Sequence, residues 1–333
     1  MSNEQPTPEA IMQLTRAYAG SKALVSAVEL RLFTTLAAGP LTGEVLMAKL
    51  GLQPRGTRDW LDALVSLGML ERDSDRYANT AATDLYLDEA KPTYVGWMVI
   101  GMAADTSHWD SLTAALQTGR PQIDGDQDFL DQYDDPASFV EFMHQMTGLS
   151  MGAALAIAER FPWRRYRTVI DIGAAEGCVP VQLALRHPQL TGGGFDLPVV
   201  GPAFEANVAR HGLADRLRFY PGDFFADPLP SADVLVMGHV LHNWGLDQKL
   251  DLLGKAYRAL PDGGAVIVYE SLIDDDRRTN SLGLLMSLGM LLVTHAGFDY
   301  TGAQCREWMS EVGFRDSYIE PLVGPDSMVV GLK

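Results

Sequence analysis

Residues 168–196, TVIDIGAAEGCVPVQLALRHPQLTGGGFD, hold the types and spacing best suited to binding chemistry. A β-branched run at 168–172 fits a buried parallel strand. Gly173 and the small residues up to Gly177 then let the backbone turn tightly and approach a ligand. Asp196 closes the stretch at the end of a second strand, where a carboxylate can accept hydrogen bonds from a ribose diol. The glycine spacing, D-x-G-x-x-x-G, lacks the middle glycine of the dinucleotide fingerprint. A nucleoside therefore fits better than a pyrophosphate, which weakens the alternative of an NAD-dependent dehydrogenase.

The elements that would position these groups repeat the same rhythm. Residues 179–186 carry helical spacing and end at His187-Pro188, completing a βαβ unit. Further strands are expected at 217–220, 232–240 and 264–269, the last after the turn Pro261-Asp262-Gly263-Gly264. Strands alternating with helices predict an α/β, doubly wound domain. One edge of its sheet would gather Gly173, Asp196, Asp223 and the cluster GHVLHNW at 238–244.

Upstream, apolar residues recur at helical spacing from Ile11 to Ala38 until Gly39-Pro40 breaks them. Thr42 can cap a helix through Leu50, and a third helix is expected at 55–67. Strands at 68–72 and 77–80 around Asp73-Ser74-Asp75 complete a winged-helix pattern. Arg55 and Arg58 are offset by Asp59 and Asp62, and the chain's formal net charge is −17. Nucleic acid is therefore not an expected partner. Residues 119–136 read as a loop and 139–160 as a connecting helical region. The 333 residues divide into a winged-helix-like domain (1–118), a linker with connecting helices (119–160) and a cofactor-binding catalytic domain (161–333). Two cysteines, a polar N-terminal octapeptide and the lack of a long apolar run predict a cytoplasmic protein with no membrane partner. The greasiest window, 282–293, is expected to be a buried helix lining an acceptor pocket.

The motifs D-x-G-x-x-x-G at 171–177, FDLP at 195–198, GDFF at 222–225, LHNW at 241–244 and LPDGG at 260–264 stand in one order. In that order and spacing the chain resembles class I S-adenosylmethionine-dependent small-molecule O-methyltransferases of the caffeate O-methyltransferase-like branch, including its bacterial natural-product members. The resemblance spans nearly the whole chain. It implies a Rossmann-like domain with a mostly parallel seven-stranded sheet, a mainly α winged-helix dimerisation domain, and a homodimer formed through that domain. S-adenosylmethionine would be the cofactor. It would be held by Gly173, Asp196, Leu197, Asp223 and Phe224, with Met146 and Ser150 contributed by a helix.

The reaction implied is methyl transfer to a phenolic hydroxyl, in secondary metabolism such as antibiotic biosynthesis. His242 in LHNW matches the catalytic histidine and would act as general base, since imidazole titrates near the working pH. Glu270 and Asp299 match the acids that would orient it. Asp299 stands where glutamate is commoner, which shortens the reach by about one methylene. Asn243 replaces a frequent aspartate, and Ala174-Ala175-Glu176 replaces commoner glycines. Trp97, His108, Trp109, Phe142, Met286, Met290 and His295 supply surfaces suited to a small aromatic acceptor. His239, His242, Asp247 and His295 do not make a convincing metal shell, so no metal is expected. Carbon or nitrogen methylation on the same scaffold, and cofactor binding without turnover, remain alternatives.

Overall fold

The structure, a computed structural model, describes residues 7–91, 93–104, 106–121 and 136–333. It divides into two compact units, residues 1–106 and 107–333.

The first unit comprises α1 (Glu9–Glu29), α2 (Leu32–Leu36), β1 (Leu41–Thr42), α3 (Gly43–Leu50), α4 (Pro54–Ser66), β2 (Leu70–Asp73), β3 (Arg76–Asn79), α5 (Ala81–Leu87) and α6 (Gly96–Ala104). Thr42 caps α3 by accepting the Val45 N–H, and Ser74 turns the β2–β3 hairpin at φ 57°. The two-residue β1 extends the hairpin into a three-stranded sheet, β1-β3-β2. The expected single helix over residues 11–38 is instead two helices. Arg31 takes the left-handed conformation (φ 56°) between them, its guanidinium pairs with Glu89, and Leu32, Phe33 and Leu36 turn into the core. That core also holds Leu46, Leu61, Leu64 and Tyr77. Asp62 of α4 accepts from the Tyr77 hydroxyl and pairs with Arg72, so the helix is locked to the hairpin. Ile11, Leu14 and Tyr18 on α1 remain more than 60% exposed.

The second unit opens within α7 (Thr106–Trp109) and continues with α8 (Leu112–Thr118) and α9 (Pro136–Arg160). Residues 107–118, read from sequence as part of the N-terminal domain, group here because α8 packs against α13 (Ser281–Val293). The expected loop at 119–136 lies largely outside the described residues. The seven strands are β4 (Thr168–Ile172), β5 (Thr191–Asp196), β6 (Leu217–Pro221), β7 (Val234–Gly238), β8 (Ala265–Glu270), β9 (Asp316–Pro321) and β10 (Ser327–Leu332). Their order is β6-β5-β4-β7-β8-β10-β9, parallel except for β10, which runs antiparallel to both neighbours. Helices α10 (Cys178–Arg186), α11 (Gly201–Arg210), α12 (Leu246–Ala259) and α14 (Gly302–Val312) complete the unit.

Strand residues alternate between two cores, as the pleat requires. Ile170, Ile172, Leu235, Met237, Val266 and Val268 pack with Leu252, Leu253 and Ala256 of α12 and with Trp308 and Met309 of α14. Val169, Val234, Val236, Ala265 and Ile267 pack with Ala153, Ala154 and Ile157 of α9 and with Val179 and Leu183 of α10. The chain moves outward from β4 through β5 and β6, then returns to place β7 on the other side. The crevice of such a sheet opens at that reversal, beyond the C-terminal ends of β4 and β7. The expected burial of residues 282–293 is a partial one. Of α13 only Gly283 and Leu292 are buried, because one face packs on α8 and on the turn at 241–243 while Leu282 and Leu285 point outward. Among the described residues no helix is long and apolar enough to cross a membrane.

Candidate active site

The loop after β4 is built around two left-handed glycines. Gly173 sits at φ 75°, where a Cβ would lie 2.7 Å from Val240 Cγ2, and Gly177 sits at φ 78° against the Phe204 ring. A side chain at either position would be strained and would close the loop against its neighbours. Between them Ala175 also has positive φ and directs its N–H to Asp196 Oδ2 (2.9 Å). The Leu197 N–H reaches Asp196 Oδ1 (2.7 Å), so the carboxylate is held from both sides at the end of β5. Burial pushes Asp196 up to about 6, against the pull of these two N–H groups. Burial, and then Asp196 itself, push the Asp171 carboxyl beneath it well above the carboxylate range. The negative charge of the cradle therefore rests on Asp196. Its remaining lone pairs can accept two further donors, as a vicinal diol offers.

Glu176 explains one departure in the glycine loop. Its Oε2 accepts from Thr147 Oγ1 (2.7 Å), and its Oε1 lies 3.5 Å from His144 Nε2, which fastens α9 to the cradle. Met146 and Ser150 are half-buried on the same helix, and the Ser150 hydroxyl is bonded to Tyr269 at the end of β8. On the other side, Asp223 is exposed and closes a turn by accepting the Phe225 N–H (2.8 Å). Phe224 packs edge-on against Phe225 and Trp244, with centroids 4.8 and 5.8 Å apart. Lys255 donates to the carbonyls of Phe224 and Phe225 and fixes that turn.

His242 lies on a 3-10 turn (Leu241–Asn243) just past β7. His239 precedes it at φ 52°, and Asn243 Nδ2 donates to the His239 carbonyl (3.1 Å), so this departure braces the strained turn. His242 Nδ1 lies 3.3 Å from Asp299 Oδ1 and 3.6 Å from Glu270 Oε2. The shorter reach of Asp299 still spans the gap, because the Asp299 N–H donates to Ser287 Oγ and the Ile273 N–H to the Tyr300 carbonyl, drawing this loop in beside β8. Glu270, the last residue of β8, accepts the His242 backbone N–H and the Tyr300 hydroxyl on Oε1, each at 3.3 Å. All three side chains are buried. Burial pulls the imidazole down, but Glu270 and then Asp299 outweigh it and raise His242 to about 9. Glu270 moves the opposite way: burial pushes its carboxyl up, but His242 and His239 together pull it below the usual carboxylate value. With Nδ1 facing two carboxylates, Nε2 is the nitrogen left to take a proton from an acceptor.

His239 stands on the far side of Glu270, its Nδ1 3.5 Å from Oε2 and its Nε2 3.9 Å from Asp326 Oδ2. His239, His242 and Glu270 each offer a ligand atom within 4.8 Å of the others, a grouping the sequence reading did not consider. Asp247 and His295, weighed with the two histidines from sequence, are both exposed.

Of the acceptor-lining candidates, Met286 and Met290 lie one turn apart on α13, which packs beside the His242 turn. Phe142, His108 and Trp109 are half-buried, and His295 is exposed just beyond α13. Trp97 belongs to the first unit, 39% exposed and edge-on to Tyr94. Sequence reasoning missed Thr147, Tyr300 and Lys249, and named Glu176 and His239 without giving them a place in the site. For Lys249 a signal existed: it falls in phase with the buried Leu252, Leu253 and Ala256 of its helix.

Two family profiles match the chain, an O-methyltransferase domain over residues 109–315 and an O-methyltransferase dimerisation domain over residues 12–89. The chain is 44% identical to the tetracenomycin polyketide synthesis 8-O-methyl transferase TcmO of Streptomyces glaucescens, over 98% of this chain and 97% of that protein. It is 38% identical to the N,N-dimethyltransferase OxyT of Streptomyces rimosus, over 97% and 96%. The crystal structure of human N-acetylserotonin methyltransferase in complex with S-adenosylmethionine superposes with a TM-score of 0.88 at 28% identity, covering 100% of this chain and 99% of that one. A doubly wound sheet, a glycine cradle facing a buried aspartate, a buried histidine beside two carboxylates and both matched domains place this chain in the S-adenosylmethionine-dependent O-methyltransferase family.

Proposed function

We propose that this enzyme methylates a hydroxyl of a small, polycyclic or otherwise aromatic acceptor of the polyketide type, with His242 as general base. The observation that carries the reading is the Nδ1 contact of His242 with Asp299 and Glu270, which turns a buried imidazole into a stronger base. Bound S-adenosylmethionine supplies a methyl group already attached to a positively charged sulfur leaving group. The chain's task is then to align the acceptor oxygen and remove its proton.

In this reading Asp196, pinned by the Ala175 and Leu197 N–H groups, accepts from the ribose hydroxyls. Gly173 and Leu197 line the cradle, Met146 and Ser150 approach it from α9, and Phe224 offers a ring face beside Asp223. The acceptor O–H gives its proton to His242 Nε2 as the oxygen forms its new bond to carbon. Glu270 and Asp299 stabilise the imidazolium without taking the proton themselves. A phenol ionises near pH 10 and His242 near 9, so the proton transfer is close to balanced. Met286 and Met290 suit a flat acceptor because thioether side chains adapt to ring faces. The protein works as a cytoplasmic homodimer, with the exposed apolar face of α1 as part of the subunit contact.

Likeness to OxyT supports one second reading, methylation of an amine on a related acceptor. The deciding experiment follows methyl transfer to a panel of phenolic and amino-substituted polycyclic aromatics, with wild type and His242→Ala in parallel and each methyl located by mass spectrometry. An O-methyl product lost in the variant is expected. An N-methyl product, or unchanged O-methylation by His242→Ala, would overturn the assignment.

A further inference from the structure

Lys249 is fully buried on the inner side of α12. A buried ammonium is costly unless its protons and its charge are both matched. Its protons go to two backbone carbonyls, Trp244 O at 2.5 Å and Phe298 O at 2.9 Å, and it lies 3.5 Å from the centroid of the Phe298 ring. Trp244 comes two residues after His242, and Phe298 immediately precedes Asp299. The two segments are in close contact there, since a Cβ on Gly297 would lie 2.7 Å from the carbonyls of both His242 and Asn243.

Its charge is matched by the same carboxylates that flank the base. Glu270 and Asp299 both act on Lys249, and both act on His242. The groups facing this buried network are Glu270 from β8, Asp299 and Tyr300 from the loop before α14, Cys305 from α14, His239 and His242 from the turn after β7, Asp326 just before β10, and Lys249 from α12. With His242 protonated, the Glu270 and Asp299 carboxylates face two cations, His242 and Lys249. Below about pH 8, where Lys249 keeps its proton, a His242 that gives up its own leaves the Lys249 ammonium to balance the Glu270 and Asp299 carboxylates.

Resting on the assignment of His242 as base, we propose that Lys249 is a positioning residue of the methyl-transfer site: its ammonium ties the turn carrying His242 to the loop carrying Asp299 and supplies the charge that lets the neutral imidazole exist. Its presence holds His242 below the value the two carboxylates alone would set.

The test uses the full chain labelled with 13C-histidine, with the His242 resonance assigned by its loss in His242→Gln. The His242 ring shift is followed against pH in wild type, Lys249→Met and Lys249→Gln, the glutamine keeping a donor while removing the charge. The expected result is a titration midpoint displaced to higher pH in both variants. In the methylation assay with whichever panel acceptor wild type uses, kcat at pH 7.5 falls by roughly tenfold and recovers at alkaline pH, while KM changes little. An unmoved His242 midpoint in either folded variant overturns the proposal. Displaced midpoints without turnover on any acceptor would leave Lys249 in place and sink the catalytic reading. Methylation that depends on His242, with midpoints that ignore Lys249, would do the reverse.

Discussion

Replacing Glu270 by glutamine removes a charge 3.6 Å from His242 Nδ1, yet keeps a carbonyl oxygen for the His242 N–H and the Tyr300 hydroxyl. At an effective dielectric of about 20, a unit charge pair at that distance is worth roughly 4–5 kcal/mol. The imidazolium forms only partly in the transition state, so about half of this, roughly 2 kcal/mol, is expected in the barrier, a loss of about 30-fold in kcat. The pH profile separates this loss from simple damage. With His242 at about 9, some 1% of the imidazole is neutral at pH 7, and wild-type kcat should climb about 50-fold from pH 7 to 9 before levelling. Glu270 is the largest influence raising His242, so in Glu270→Gln the climb must move to lower pH while the plateau falls. The assay is single-turnover methylation across pH 6–10.5, where chemistry is not masked by product release. A profile of unchanged position, whatever its height, would refute the claim that Glu270 sets the base strength of His242.

Stability should respond to the same groups. His242 has a folded value above its unfolded one, about 9 against 6.5, so its stabilisation is full below about pH 6.5 and is lost as pH rises. Lys249 is lowered from 10.5 to about 8 and acts in the opposite sense only above pH 8. Urea unfolding should therefore show a fall of about 2 kcal/mol between pH 6.5 and 8, then a levelling near pH 8–9; a monotonic rise across that window would contradict the ion network. Asp196→Asn should weaken S-adenosylmethionine binding by about 10- to 100-fold in calorimetry while leaving the circular dichroism spectrum unchanged, since the charged acceptor is lost and only one of the Ala175 and Leu197 N–H groups keeps an oxygen partner. Exhaustive chelation should leave methylation intact, because the sulfonium already activates the methyl and His242 Nδ1 already faces Asp299. Lost activity restored by a divalent ion would assign a metal to His239, His242 and Glu270 instead.

Much of this protein was legible in one dimension because its signals are local. Alternation in the 168–172 and 264–269 runs, the glycines at 173 and 177 and the acid ending FDLP each report a strand, a left-handed turn or a strand end within a few residues. Five such signals in one order were enough to indicate the fold, the cofactor and the place of His242. Where the local signal was weak the reading failed: apolar spacing continued across residues 30–31, yet Arg31 broke the helix because Glu89, far along the chain, receives its guanidinium.

What only the tertiary structure decided is how distant residues meet. Asp299 reaches His242 although it is a methylene short, because the loop that carries it is drawn in by Ser287 and by the bond between Ile273 and Tyr300. Glu176 serves α9 through Thr147, Glu270 stands between two histidines, and Lys249 lies buried between the carbonyls of Trp244 and Phe298. Sequence determines residue types and periodicity, which the backbone converts into elements. Charge balance inside a dry crevice depends on separations of 3–4 Å between residues 28 to 57 positions apart, and only packing sets those separations.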